Sequence, residues 1–177
     1  MNLPEPTPTL ARTPAVLTAL LTGLSPDWLR RDDGPGTWSA YDIVGHLLHV
    51  EEADWVPRIR LILRHGTARP FQPVDREAML AHREREPAEA LLARFQAARH
   101  ASLADLSSLD LTAADVDRRG LHPDLGEVTV GQLLATWVAH DLTHLAQIGE
   151  VLARRYADDV GPWRAYLPAL DRTAAAE

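Results

Sequence analysis

The chain predicts an all-α fold, a four-helix bundle with crossover connections. Three observations carry that expectation. Four long segments repeat apolar residues at helical spacing, and no segment reads as a convincing strand. Of the 177 residues, 46% are hydrophobic, enough for a single domain, with a core about 13–157, to bury about 70% of its unfolded surface. The connections 25–38, 66–86 and 107–128 are longer than up-and-down neighbours need. At least one should therefore cross over, and the long loops should wall one end of the bundle.

The first predicted helix runs from about Pro14 to Gly23, with Thr13 as N-cap and Pro14 at the first helical position. The second begins at Ser39, which has capping-box spacing to Asp42, and reaches about Arg64. Pro57 lies inside it and removes an internal hydrogen bond, so either a kink or two abutting helices is expected. The third runs from about Pro87 to Leu106 with a loose apolar face. The fourth opens on a capping box, Thr129 with Gln132, and reaches about Arg155, where Arg154 and Arg155 suit the negative end of the helix dipole. A short turn or helix is expected between Asp158 and Leu170, and fraying from Thr173 to Glu177.

Composition excludes several functions. A net charge of −7, with arginines scattered among acids, disfavours nucleic acid as a partner. No cysteine is present, so disulfides, thiolate ligands and a protein-borne thiol nucleophile are excluded. No window approaches 18 uninterrupted apolar residues, and residues 1–14 carry prolines in place of a signal pattern. The expectation is a cytoplasmic protein without membrane contact.

The most chemically informative stretch is His140-Asp141-Leu142-Thr143-His144. Its spacing stacks two imidazoles on one helix face, inside the apolar arc of Leu133, Trp137, Ile148 and Val151. Buried imidazoles need partners. Two of them one turn apart can share a divalent metal, or be satisfied as core histidines by neighbouring groups. In the second helix His46 lies at the edge of the apolar arc and His49 about 60° further toward the polar side. Three inward histidines, His46, His140 and His144, would leave a fourth coordination position open, the pattern of a reactive metal site.

Trp38-Ser39 followed by His46-Leu47, and much later by His140, His144 and Gln147, resembles the DinB/YfiT-like superfamily of metal-binding four-helix bundles. The resemblance covers most of the chain in helix order and length. It implies His46, His140 and His144 as the metal triad, a crossover topology and a homodimer. It also implies thiol-dependent transferase or isomerase chemistry with a low-molecular-weight thiol such as bacillithiol or mycothiol, together with the stress-response context of a damage-inducible family.

The leading expectation is thus a metal-dependent S-transferase in which an external thiol becomes a thiolate and attacks an electrophile. A metal-dependent hydrolase and a noncatalytic, metal-stabilised dimeric scaffold are the alternatives. His140-Asp141-x-x-His144 only superficially follows the zinc-protease pattern, because Asp141 is shorter than the required Glu and no third-ligand motif follows. Zinc is the default ion, with nickel close behind and iron also compatible with imidazole ligands. Asp42 is read as a cap, Glu51 and Asp54 as pairing with an arginine such as Arg58, and Asp141 as a helix-flank acid. Gln147 is placed to hydrogen-bond near the site, and Trp137 to fill core. His65, His82, His100 and His122 receive no function.

Overall fold

The computed structural model describes residues 6–73, 75 and 86–171. A short helix α1 (Pro6–Leu10) precedes α2 (Thr13–Leu21), and α3 (Pro26–Arg30) leads to α4 (Ala40–Ala53) and α5 (Trp55–His65). Then come α6 (Ala88–Ser108), α7 (Ala113–Val116), a hairpin of β1 (Arg119–His122) and β2 (Gly126–Thr129), and α8 (Val130–Ala153). Three short 3-10 segments, Arg154–Tyr156, Gly161–Tyr166 and Pro168–Leu170, close the described chain. Residues 173–177 and His82 lie outside the described residues.

The bundle is made by α2, α4, α6 and α8. Both α6 and α8 pack against α2 and against α4, so α2 and α4, the first two helices of the bundle, face each other across a diagonal. The α2–α4 and α6–α8 connections therefore cross the end of the bundle, which accounts for their length.

Three helix starts follow their sequence signals. Ser39 Oγ accepts from Asp42 N while Asp42 Oδ2 accepts from Ser39 N, which closes a capping box on α4. Thr129 and Gln132 do the same for α8. The expected Ser39-to-Arg64 helix divides into two abutting helices at Asp54 (φ −109°, ψ −65°). Pro57 lies in the first turn of α5, where a missing N–H costs least.

Two expectations are corrected. Helix α2 begins at Thr13, with Arg12 as N-cap and no capping side chain. Thr13 is buried, and its hydroxyl donates to Asp141 Oδ2 at 2.6 Å instead of capping the helix. The 107–128 connection also holds a two-stranded antiparallel hairpin that pairs Arg119 with Thr129 and His122 with Gly126. Its strands are too short for a period of two to register, and Gly126, at φ +75°, takes the left-handed conformation that closes the turn. The hairpin is docked on α5: a Cβ at Gly120 would sit 2.5 Å from Ile62 Cγ1, and Phe71 N donates to Leu121 O at 2.9 Å.

The core has two apolar clusters, one around Leu17, Leu47, Phe95 and Ile148, the other around Val50, Ile59, Val130 and Trp137. Between them runs a buried polar layer. Arg99 of α6 is 0% exposed. It donates from Nε and Nη2 to the two Glu51 oxygens at 2.9 and 2.8 Å, and from Nη1 and Nη2 to the two Asp141 oxygens at 2.6 and 3.0 Å. Nη1 also donates to Leu10 O at 2.9 Å. The guanidinium further packs near the rings of Phe95 and Trp137, 5.0 and 5.3 Å from their centroids. Burial works against the Arg99 charge, but the hydrogen bonds to Asp141 and Glu51 outweigh it and hold the group protonated above its usual value.

Removing only the cation leaves two carboxylates buried without a counter-charge. Arg99→Ala is therefore expected to lower the unfolding free energy by about 3–5 kcal/mol in urea titrations. The triple replacement Arg99→Met, Glu51→Leu, Asp141→Leu should recover most of that loss, and a triple variant as unstable as the single one contradicts this reading.

Candidate metal centre

The neighbouring helices α4 and α8 bring their histidines together. His46 Nε2 lies 3.0 Å from His140 Nε2, and His140 Nε2 lies 3.1 Å from His144 Nε2. His46 and His144 are buried, 6% and 2% exposed, and His140 is half-buried. Donor atoms of all three lie within 4.8 Å of one another. Tetrahedral coordination at about 2.0–2.1 Å places ligand nitrogens about 3.3–3.4 Å apart, slightly wider than the separations here.

The protonation pattern suits a cation. His144 Nδ1 is 2.7 Å from Gln147 Oε1, an acceptor, so Nδ1 carries the proton and Nε2 presents its lone pair to the cluster. His140 Nδ1 is buried without a hydrogen-bond partner among the described residues. A single N–H on His140 Nε2 would have to be shared between the two contacts, whereas one cation accepts a lone pair from each nitrogen. Burial, and then the neighbouring histidines His144 and His140, push the His46 imidazole down to about 2. Burial and His144, with a contribution from Arg99, push His140 down to about 3. His46 and His140 are thus held neutral, the form in which imidazole ligates.

Indoles enclose the cluster. Trp38 lies 4.9 Å from the His46 ring and stacks at 6.1 Å on His144, while Trp55 meets His140 edge-on at 5.2 Å. On one side the enclosure opens into a cleft of about 300 Å³ that His46 and His140 line together with Val50, Trp55, Phe71 and His122. Asp54 and Arg58 pair within it at 3.1 Å, and burial raises the Asp54 carboxyl above its ordinary value despite that arginine.

Several sequence expectations find their places here. Gln147 bonds to His144, Trp137 is fully buried core, Asp42 is a cap, and Asp54 pairs with Arg58. His49 lines a neighbouring cleft with Asp54 and Pro57. Glu51 pairs with an arginine as expected, the arginine being Arg99, and one acid is corrected: Asp141 is a wholly buried member of the same network instead of a flank acid. His122 is reassigned as well, because the hairpin carries it to the cleft wall, while His65 and His100 are exposed. The signal for Arg99 was its place in the stripe Leu91, Leu92, Phe95, Arg99, Ser102, Leu106 of α6, where a charge is costly unless paired.

Fold and site together define a helical bundle that gathers histidines from two neighbouring helices at the mouth of a cleft. The chain belongs to the DinB superfamily, whose family pattern matches residues 9–148. Among solved structures it is similar to YfiT from Bacillus subtilis, described as a probable metal-dependent hydrolase with an unusual four-helix bundle topology. The two share 24% identity with a TM-score of 0.73, over 85% of this chain and 86% of the other. No curated protein matches the chain. Among the described residues, no helix is long and apolar enough to cross a membrane.

The depressed histidines make stability depend on pH in a definite direction. Unfolded imidazoles titrate near 6.5, and in the folded protein His46 and His140 titrate at about 2 and about 3. Between those limits the unfolded chain binds more protons, so the metal-free protein loses stability as pH falls below about 6.5, by at most about 1.4 kcal/mol per unit per histidine. Urea midpoints of the metal-free protein, compared with those of His46→Gln in the same buffers so that the raised Asp54 and Glu51 carboxyls cancel, should differ by a constant amount near pH 7.5 and by progressively less below about 6.5, and a difference that stays constant down to pH 5 contradicts the neutral cluster.

Proposed function

We propose that His46, His140 and His144 hold a divalent cation, zinc by default and nickel or iron as alternatives, and that the protein is a metal-dependent transferase acting with a low-molecular-weight thiol such as bacillithiol or mycothiol. The observation that carries this reading is the convergence of three imidazole nitrogens beside an open cleft. When bound there, a divalent cation lowers the pKa of a thiol or water at its remaining position and so supplies a nucleophile near neutral pH.

The chain's own residues support the rest. Gln147 accepts from His144 Nδ1 and so keeps its Nε2 lone pair turned inward. Asp141, locked to Arg99, fixes the turn of α8 that carries His140 and His144. Trp38 and Trp55 exclude water from the flanks of the cluster. The cleft offers a largely apolar wall to the body of an electrophile, and no cysteine is present to compete for it.

A hydrolase is the second reading. Asp54, with its raised carboxyl, lies in the same cleft and can accept a proton from attacking water. The description of YfiT as a probable metal-dependent hydrolase favours the same alternative.

Elemental analysis of untagged protein should give about one divalent ion per chain and none in His144→Ala. In cobalt-substituted protein, visible absorption should shift when a small thiol is added. Stoichiometric metal with no response to any thiol transfers the assignment to hydrolysis, and a metal-free native chain overturns both. Gln147→Leu should weaken metal affinity about 10- to 100-fold without unfolding the protein, as read by competition with a chelator.

A further inference from the structure

His122 faces the candidate site from an element that the bundle does not require. It ends β1, and its Nδ1 accepts from the backbone N–H groups of Asp124 and Leu125 at 3.1 and 3.3 Å. A ring nitrogen that accepts two N–H groups carries no proton, so in the neutral ring the proton is on Nε2. Among the described residues nothing accepts from Nε2. The nearby carboxylate that would do so, Asp54, is held by Arg58 at 3.1 Å, with Arg58 also bonded to Gln72 O at 3.3 Å. The imidazole is braced edge-on against Phe71 at 6.0 Å, and the hairpin beneath it is pinned to α5 through Gly120. A donor is thus fixed in tautomer and position on the wall of the cleft that His46 and His140 also line.

We infer that His122 binds substrate, donating from Nε2–H to a carbonyl or similar acceptor oxygen of an uncharged molecule whose apolar body occupies the cleft. The chemistry of the lining selects that class. Val50, Trp55, Leu125, Val128 and Leu133 offer apolar surface. The charged side chains within the cleft, Asp54 and Arg58, are closed on each other, so a ligand charge recognised by either would have to break a partly buried ion pair. A fixed neutral donor discriminates in favour of an acceptor because an oxygen-free ligand leaves the N–H unpaired on desolvation. This deepens the reading under Proposed function by naming the kind of electrophile, and it adds a binding residue from the hairpin.

The test compares acetophenone with isopropylbenzene, which has a similar shape but lacks the oxygen, in NMR titrations of the full chain. Long-range nitrogen–proton spectra should show His122 as the Nε2–H tautomer, and acetophenone should bind about three- to tenfold more tightly. His122→Asn keeps an acceptor where Nδ1 stood but has no donor at the Nε2 position, and should lose the preference with an unchanged melting temperature. His122→Gln places a donor near Nε2 and should retain part of it. Equal affinity for the two probes in the native chain, no uptake of either up to their solubility, an Nδ1–H tautomer, or a preference that survives His122→Asn overturns the inference. Metal content is measured on the same samples, so a chain without metal defeats the proposed function while the cleft's preference is decided by the probes alone.

Discussion

The five N–H donors of one guanidinium, that of Arg99, are spent on five acceptors from three other parts of the bundle: Leu10 at the end of α1, Glu51 of α4 and Asp141 of α8. Thr13 of α2 completes the ring by donating to the same Asp141 carboxylate. Every helix of the bundle thus contributes a group to one buried network. Apolar side chains tolerate small slides and rotations of the helices that carry them, whereas a planar fork facing two carboxylates does so only with loss of hydrogen bonds. The network's main consequence is therefore register more than net stability, since a buried ion pair recovers little beyond its own desolvation cost.

Register is what the histidine cluster needs. Glu51 lies on the same helix as His46, and Asp141 lies between His140 and His144. Fixing those two carboxylates on a common cation fixes the facing of α4 and α8, and three Nε2 atoms from sites 94 residues apart meet at about hydrogen-bond distance. The same cation contributes to keeping His140 neutral, behind the larger effect of burial. Structure and site chemistry are in this sense one device: an ionic layer between two apolar clusters sets the geometry, and the imidazoles beside it supply the donors.

Much of this was legible in the sequence where local rules decide. The capping boxes at Ser39 and Thr129, the break enforced ahead of Pro57, and the inward facing of His46, His140 and His144 follow from spacing alone. Crossover followed from loop length. Pairing across the bundle was not legible in that way. In α8, Leu134, Trp137, Asp141, His144, Ile148 and Val151 advance by alternating steps of three and four, so Asp141 stood in the core stripe. Its partner Arg99 stood in the corresponding stripe of α6. Each was readable as a buried charge, but their meeting depends on which helices are neighbours, and tertiary topology decides that. The hairpin was missed for another reason. Strands of four residues carry too little pattern, and what holds them is the absence of a side chain at Gly120, where Ile62 packs.

X-ray absorption spectroscopy of the zinc-loaded full-length protein tests the central claim most directly, because it reports the ligand set itself. Three imidazole nitrogens at about 2.0–2.1 Å, with their outer-shell ring scattering and one further light-atom ligand, are expected. A shell of oxygen ligands, or one with fewer than two imidazoles, would contradict a bundle whose ionic layer aligns His46, His140 and His144 on one cation.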